Sequence, residues 1–120
     1  MNPSSTIEIV QRERRGRVVI LDVRGRLDVV TAPQLLAQCA QVQADGADLI
    51  IDFSGVSFLG SSGVGAMLTL VEQFHEQGGQ VHYAALSEPA MAVITLLDLQ
   101  NYLPICASVD AALAEKRLAG

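Results

Sequence analysis

Two adjacent hydroxyls, Ser61 and Ser62, lie in the stretch Phe58-Leu59-Gly60-Ser61-Ser62-Gly63-Val64-Gly65. The stretch follows the apolar run Leu49-Ile50-Ile51-Asp52-Phe53 and precedes Val64, Met67, Leu68 and Val71, which recur at helical spacing. Both serines therefore stand where the chain leaves a strand and opens a helix. The backbone N–H groups of a first helical turn lack partners within the helix, and an anion is favoured beside them. The chemistry on offer is that of a nucleophile, a phosphate cradle or a hydroxyl that accepts a phosphate. The plainer alternative is a serine that caps the helix on a glycine-loosened turn.

The enzymatic templates fail at particular positions. A nucleophile elbow needs G-x-S-x-G after a strand; Gly60 and Ser62 fit, but Val64 occupies the last glycine position and no histidine is placed as a base. A P-loop needs a lysine before the hydroxyl residue, and this turn has none. Gly60, Gly63 and Gly65 reverse the spacing of the dinucleotide fingerprint. Asp22, Asp28 and Asp52 could gather at one sheet end, yet an aspartate in a turn, as Asp28 is, reads as solvated or capping. Cys39 and Cys106 sit in apolar settings and read as reduced core thiols, and His75 and His82 as surface or partly buried side chains. Neither pair has metal-ligand spacing, so no metal, cofactor or catalytic residue is expected.

The elements around the turn follow from periodicity. Thr6 to Arg12 alternates, Arg14-Arg15-Gly16 breaks the pattern, and Val18 to Val23 forms the second arm of a hairpin. Thr31 as N-cap and Pro33 in the first turn open a helix carrying Leu35, Leu36, Cys39 and Val42, which Asp45-Gly46 ends. Leu49 to Phe53 is a buried strand, and the helix after Gly60 stops at Gly78-Gly79. Val81 to Leu86 is a strand, and Ser87 caps a helix with Met91, Ile94 and Leu97. Leu103 to Cys106 is a short, proline-marked edge strand. Ser108 caps a last helix, with Asp110 near its start and Lys116 and Arg117 near its end, as the helix dipole favours. The order β-β-α-β-α-β-α-β-α predicts an α/β fold: one mixed sheet of four to five strands packed against about four helices. Residues 1–120 form a single domain on this reading, with its core over about 6–117.

Composition narrows the partners. Half of the 120 residues are hydrophobic, aromatics are 4% and tryptophan is absent, so the core is aliphatic. A net charge of −5 argues against nucleic acid, which needs a basic face. Arg12, Arg14, Arg15 and Arg17 cluster at one hairpin and read as its solvated tip rather than as an anion patch. No apolar run approaches the ~18 residues of a membrane helix. Met1-Asn2-Pro3-Ser4-Ser5 lacks the regions of a signal peptide, so a cytoplasmic protein with no membrane insertion is expected.

Two segments resemble the STAS family of anti-sigma factor antagonists. Gly25-Arg26-Leu27-Asp28, with Thr31 and Leu35, is similar to that family's G-E-L-D-x-x-T-x-x-x-L segment. Asp52 to Gly65 is similar to its strand followed by F-[LMI]-D-S-[ST]-G-L-G. Gly78-Gly79, a strand and Ser87-Glu88-Pro89-Ala90 fit as well. The resemblance implies a non-catalytic phosphoprotein of bacterial partner switching. A GHKL-type serine kinase that is also the anti-sigma factor binds the unphosphorylated form, phosphorylation releases it, and a metal-dependent serine phosphatase resets it. Ser61 takes the phosphoacceptor place, with Ser62 as second choice, and Asp28 that of a nearby loop carboxylate. Asp28, Leu59, Gly60, Ser61, Ser62, Gly63 and Val64 are the expected partner-binding residues; Val64, Met67 and Leu59 read either as an apolar contact face or simply as core. Gly60 departs from the family, which usually has aspartate there. The resemblance also admits a scaffold in a stress-sensing complex, an accessory subunit of lipid transport, or a switch whose output is not transcription. A monomer or weak dimer is expected.

Overall fold

Two strands and a tight turn open the chain. β1 (Ile7–Arg15) and β2 (Val18–Leu27) pair antiparallel, joined at Gly16, whose φ of 58° is a value that glycine adopts without strain. The structure, a computed structural model, describes residues 6–119, except the side chains of 116–119. The expected basic end of the last helix, Lys116 and Arg117, therefore lies outside the described side chains.

After β2 the order is α1 (Ala32–Ala44), β3 (Asp48–Leu59), α2 (Ser61–Glu76), β4 (Val81–Ala84), α3 (Glu88–Leu96), β5 (Ile105–Cys106) and α4 (Val109–Ala119). The strands form one mixed sheet in sequence order, β1-β2-β3-β4-β5, parallel from β2 onward. Each parallel step is bridged by a helix, which is the connection that parallel neighbours require. This is the single α/β domain expected, with five strands and four helices. Among the described residues no helix is long and apolar enough to cross a membrane.

Strand alternation divides the interior in two. Val19, Leu21, Val23, Leu49, Ile51, Phe53, Val81 and Tyr83 face α1, α2 and α3 and build the larger core. Ile20, Ile50, Ala84 and Cys106 face the other way, onto Ala112 and Leu113 of α4. The aliphatic expectation holds, with Phe53 and Tyr83 meeting edge to face at 5.3 Å. The Tyr83 hydroxyl is wholly buried and donates to the Met67 carbonyl of α2 at 2.7 Å, tying that helix to β4.

Helix ends follow the expected signals, with one exception. Ser87 and Ser108 accept hydrogen bonds from Ala90 N and Ala111 N. Gly46 and Gly78, at φ 74° and 79°, close α1 and α2; after α2, Gly79 N and Gly78 N bond back to Phe74 O and His75 O. Thr31 is the N-cap of α1, but its hydroxyl makes no capping bond to that helix.

The arginine hairpin is only partly a solvated tip. The β1–β2 register shifts between Gln11 and Glu13, leaving Arg12 on a bulge. A bulge re-aims its side chain, and Arg12 reaches across the sheet to Asp22 and, at 2.7 Å, to Asp52. Burial pushes the Asp52 carboxyl up, but hydrogen bonds from Ser54 and Arg12 outweigh it and hold it below its ordinary value. Arg14 and Arg17 lie at the turn, each bonded to a glycine carbonyl.

Removing the Tyr83 hydroxyl tests the α2–β4 tie. Tyr83→Phe leaves a buried carbonyl short of one donor and should cost about 1 kcal/mol. Urea unfolding would then show a lower midpoint with an unchanged slope.

Candidate functional site

β3 runs to Leu59, further than the apolar run Leu49–Phe53 predicts. Its extension carries Ser54, Gly55, Val56 and Ser57 along β2, and the register shifts twice to accommodate them. The last pair of that ladder is Leu27 opposite Leu59. There the two strands end together, and the Gly60 N–H donates to the Leu27 carbonyl at 2.9 Å. The turn into α2 is thus bonded to the neighbouring strand before the helix starts.

Gly60 is the N-cap of α2, so neither serine fills that place, contrary to the capping alternative. Ser61, Ser62 and Gly63 form the first turn, and the first intrahelical bond runs from Val64 N to Gly60 O at 3.1 Å. No side chain caps this end, and no acidic residue lies in the first turn. In contrast, α3 has both Ser87 and Glu88 at its start, and α4 has Ser108 and Asp110. The amino end of α2 therefore keeps its positive partial charge without a carboxylate of its own.

Ser61 is exposed and Ser62 half-buried. What fixes this is Gly63. A Cβ there would lie 2.7 Å from Leu59 Cδ1 and 2.8 Å from both Cγ and the carbonyl oxygen of Leu27. Only a glycine lets the first turn settle onto the ends of β2 and β3, and that seating turns Ser61 outward.

Asp28 is brought to the same place. A Cβ on Gly60 would be 3.8 Å from Asp28 Cα. The Asp28 carboxylate accepts from the backbone N–H of Val30 and Thr31 at 3.0 and 3.2 Å, and Arg26 lies 3.6 Å from it. Thr31 Oγ1 donates to the Arg26 carbonyl at 2.7 Å and accepts from Asp28 N at 2.9 Å. Thr31, fully buried, locks the loop between β2 and α1 rather than capping α1. Asp28 is a loop organiser at the rim of the serine turn, and Asp22 and Asp52 lie apart from it with Arg12.

The expected apolar contact face needs correction. Leu59, Val64 and Met67 are 3%, 4% and 0% exposed and belong to the core. The exposed apolar groups at this end are Val29 (72%), Val30 (55%) and Phe58 (39%). Phe58 leans over Gly60, its Cε2 3.2 Å from where a Cβ would stand, and the Arg26 guanidinium stacks 4.1 Å above its ring. Val29 and Val30 carry a signal visible in the sequence, two adjacent β-branched residues in a turn between a strand and a helix.

Known proteins share this fold. The STAS domain family model matches residues 10–112. The anti-sigma-B factor antagonist of Bacillus subtilis is 27% identical over 104 residues, 87% of this chain and 93% of that protein. An anti-sigma factor antagonist from Mycobacterium paratuberculosis superimposes with a TM-score of 0.83 at 31% identity over 97% of both chains. The Bacillus cell fate determinant SpoIIAA in its phosphorylated form shares the fold, with a TM-score of 0.65 at 22% identity over 92% of this chain and 98% of its own.

Two glycines of the turn should respond oppositely to substitution. Gly63→Ala forces a methyl into Leu27 and its carbonyl and should destabilise by about 1–3 kcal/mol. Gly60, at φ −93° and ψ 176°, has a backbone open to any residue. Gly60→Asp adds a cap and a favourable charge at the helix start, against a small displacement of the half-exposed Phe58 ring, for a gain of about 0.5–1 kcal/mol. Thermal unfolding of both variants checks the opposite signs. With the family model covering most of its residues and its fold and relatives in agreement, the chain belongs to the STAS domain family.

Proposed function

We propose that the chain is an anti-sigma factor antagonist of a cytoplasmic partner-switching pathway, controlled by phosphorylation of Ser61. Unphosphorylated, it binds a GHKL-type serine kinase that is also the anti-sigma factor. Phosphorylated, it is released, and a metal-dependent serine phosphatase restores it. The antagonists among its relatives support the general role. The observation that carries the phosphosite is the amino end of α2: an exposed Ser61 on a first turn that has neither a capping side chain nor an acid.

A phosphate on Ser61 adds about −1.5 to −2 charge. At a helix amino end this charge is favourable by about 0.3–1 kcal/mol, so the fold survives the modification. The penalty falls on the interface. The phosphate must shed water there, beside the Asp28 carboxylate and on a chain of net charge −5. A loss of ~1.4 kcal/mol weakens binding tenfold. Val29, Val30 and Phe58 supply the exposed apolar contact around the turn, and Gly60 and Ser62 the backbone and second hydroxyl beside it. Leu59, Gly63 and Val64 act from beneath, by holding the turn.

The Ser61→Ala chain should capture the kinase from a native lysate, and Ser61→Asp should capture at least tenfold less. With ATP, the parent chain should gain one phosphate that mass mapping puts on Ser61 and that Ser62→Ala retains. Equal capture by both Ser61 variants, or no ATP-dependent modification of either serine, overturns the switch and leaves a passive binding module.

A further inference from the structure

The far side of the sheet gathers three groups that no linear spacing announces. His82 lies on β4, Cys106 on β5 and Glu115 on α4. Ala84 pairs with Cys106 across the β4–β5 ladder, and His82 precedes Ala84 by two residues, so both side chains share the face covered by α4. His82 and Cys106 are 7% and 8% exposed, whereas the Glu115 side chain is 64% exposed. His82 is thus buried, more so than the surface or partly buried place its sequence context suggests.

One ligand atom from each lies within 4.8 Å of the other two. His82 Nε2 is 3.7 Å from Glu115 Oε1, and Cys106 Sγ is 3.5 Å from Glu115 Oε2. Tetrahedral Zn²⁺ with bonds of about 2.0–2.3 Å to nitrogen, oxygen and sulfur has ligand–ligand edges of about 3.3–3.6 Å. The two edges to the glutamate, one to each of its oxygens, already stand near that range. The His82–Cys106 edge, within 4.8 Å, closes by a rotation of those two side chains toward the shared glutamate.

We propose that His82, Cys106 and Glu115 form a three-ligand Zn²⁺ site, with the fourth position open to solvent, that ties α4 to the β4–β5 edge. The ligand set is the mixture of imidazole, thiolate and carboxylate that zinc accepts. Without metal, burial and the neighbouring Glu115 push the Cys106 thiol up to about 11. Binding forms a sulfur–zinc bond and sends the thiol proton to solvent. The site stands apart from the serine turn: His82 pairs with Ile50, early in β3, while Ser61 lies beyond that strand's far end. Its occupancy is therefore independent of phosphorylation at Ser61.

Co²⁺ and Zn²⁺ are titrated into the metal-free full chain. One equivalent of Co²⁺ should give a thiolate-to-metal charge-transfer band that Zn²⁺ abolishes, and Zn²⁺ should raise the unfolding temperature. Cys106→Ala should lose the band. Glu115→Gln, at an exposed position that leaves the fold intact, should bind Zn²⁺ at least tenfold more weakly by calorimetry. Absence of the band, its survival in Cys106→Ala, or Zn²⁺ affinity unchanged in Glu115→Gln overturns the site. Should Cys106→Ala not fold, the Glu115→Gln calorimetry decides alone.

Discussion

The contact of Gly63 with the Leu27–Leu59 pair governs the serine end of this fold. Those leucines finish β2 and β3 side by side, and the first turn of α2 rests on them with no room for a methyl. The Gly60 N–H bond to the Leu27 carbonyl joins the same two strand ends through the backbone. The helix start is thereby fixed in height and rotation relative to the sheet. Ser61 faces solvent because Gly63 faces the leucines, two positions further round the same turn. Leu27 also leads into Asp28, so the loop that Thr31 locks is registered against the helix by the same contact. Sites at the carboxyl ends of parallel strands are common in open α/β sheets because such junctions gather loops and helix starts. Here the junction presents an exposed hydroxyl, Ser61, with the half-buried Ser62 beside it.

This rigidity bears on how the proposed switch would work. A helix start held on both sides has little freedom to rearrange when charge is added. The amino end of α2 favours an anion, so charge at Ser61 does not strain the domain. Under the proposed switch, the differential free energy between the two forms would then arise where a partner packs against the turn, since a modification shifts an equilibrium only by what it changes differentially. Gly60 fits this division. It puts no carboxylate at the helix start and leaves Phe58 leaning over the turn with Arg26 stacked on it, so the surroundings of Ser61 are partly apolar.

Much of this was legible from local chemistry. Element order, the glycine stops after α1 and α2 and the serine caps of α3 and α4 depend on a few neighbouring residues, and each was readable. The strand-to-helix turn with its two hydroxyls was readable for the same reason. Three features were not. Ser54, Gly55 and Ser57 carry breaker chemistry, yet Gly55, Val56 and Phe58 pair with β2 and carry the strand past the two serines, which sit at its register shifts; ladder partners outweigh local propensity. Leu59, Val64 and Met67 stayed open between a contact face and core because spacing cannot say which side of a helix meets the sheet when both sides carry apolar residues. His82, Cys106 and Glu115 are separated by a helix, a strand and a loop. Only the β4–β5 register and the placement of α4 bring them together.

The unequal division of the interior gives that last grouping its physical sense. Three helices share the larger core, whereas α4 alone covers the other face, through Ala112 and Leu113 over Ile20, Ile50, Ala84 and Cys106. Alanine buries little area, and apolar stabilisation scales with the area removed from water. The strand beneath, β5, is two residues long. This edge is short, and the described residues of α4 meet it through small and aliphatic side chains. Polar groups from β4, β5 and α4 converge at that edge, with the glutamate supplied from the open side. Buried polar groups are costly unless paired, and Glu115 already faces both His82 and Cys106 from the solvent side. A cation shared by all three would link β4, β5 and α4 more firmly than the glutamate alone.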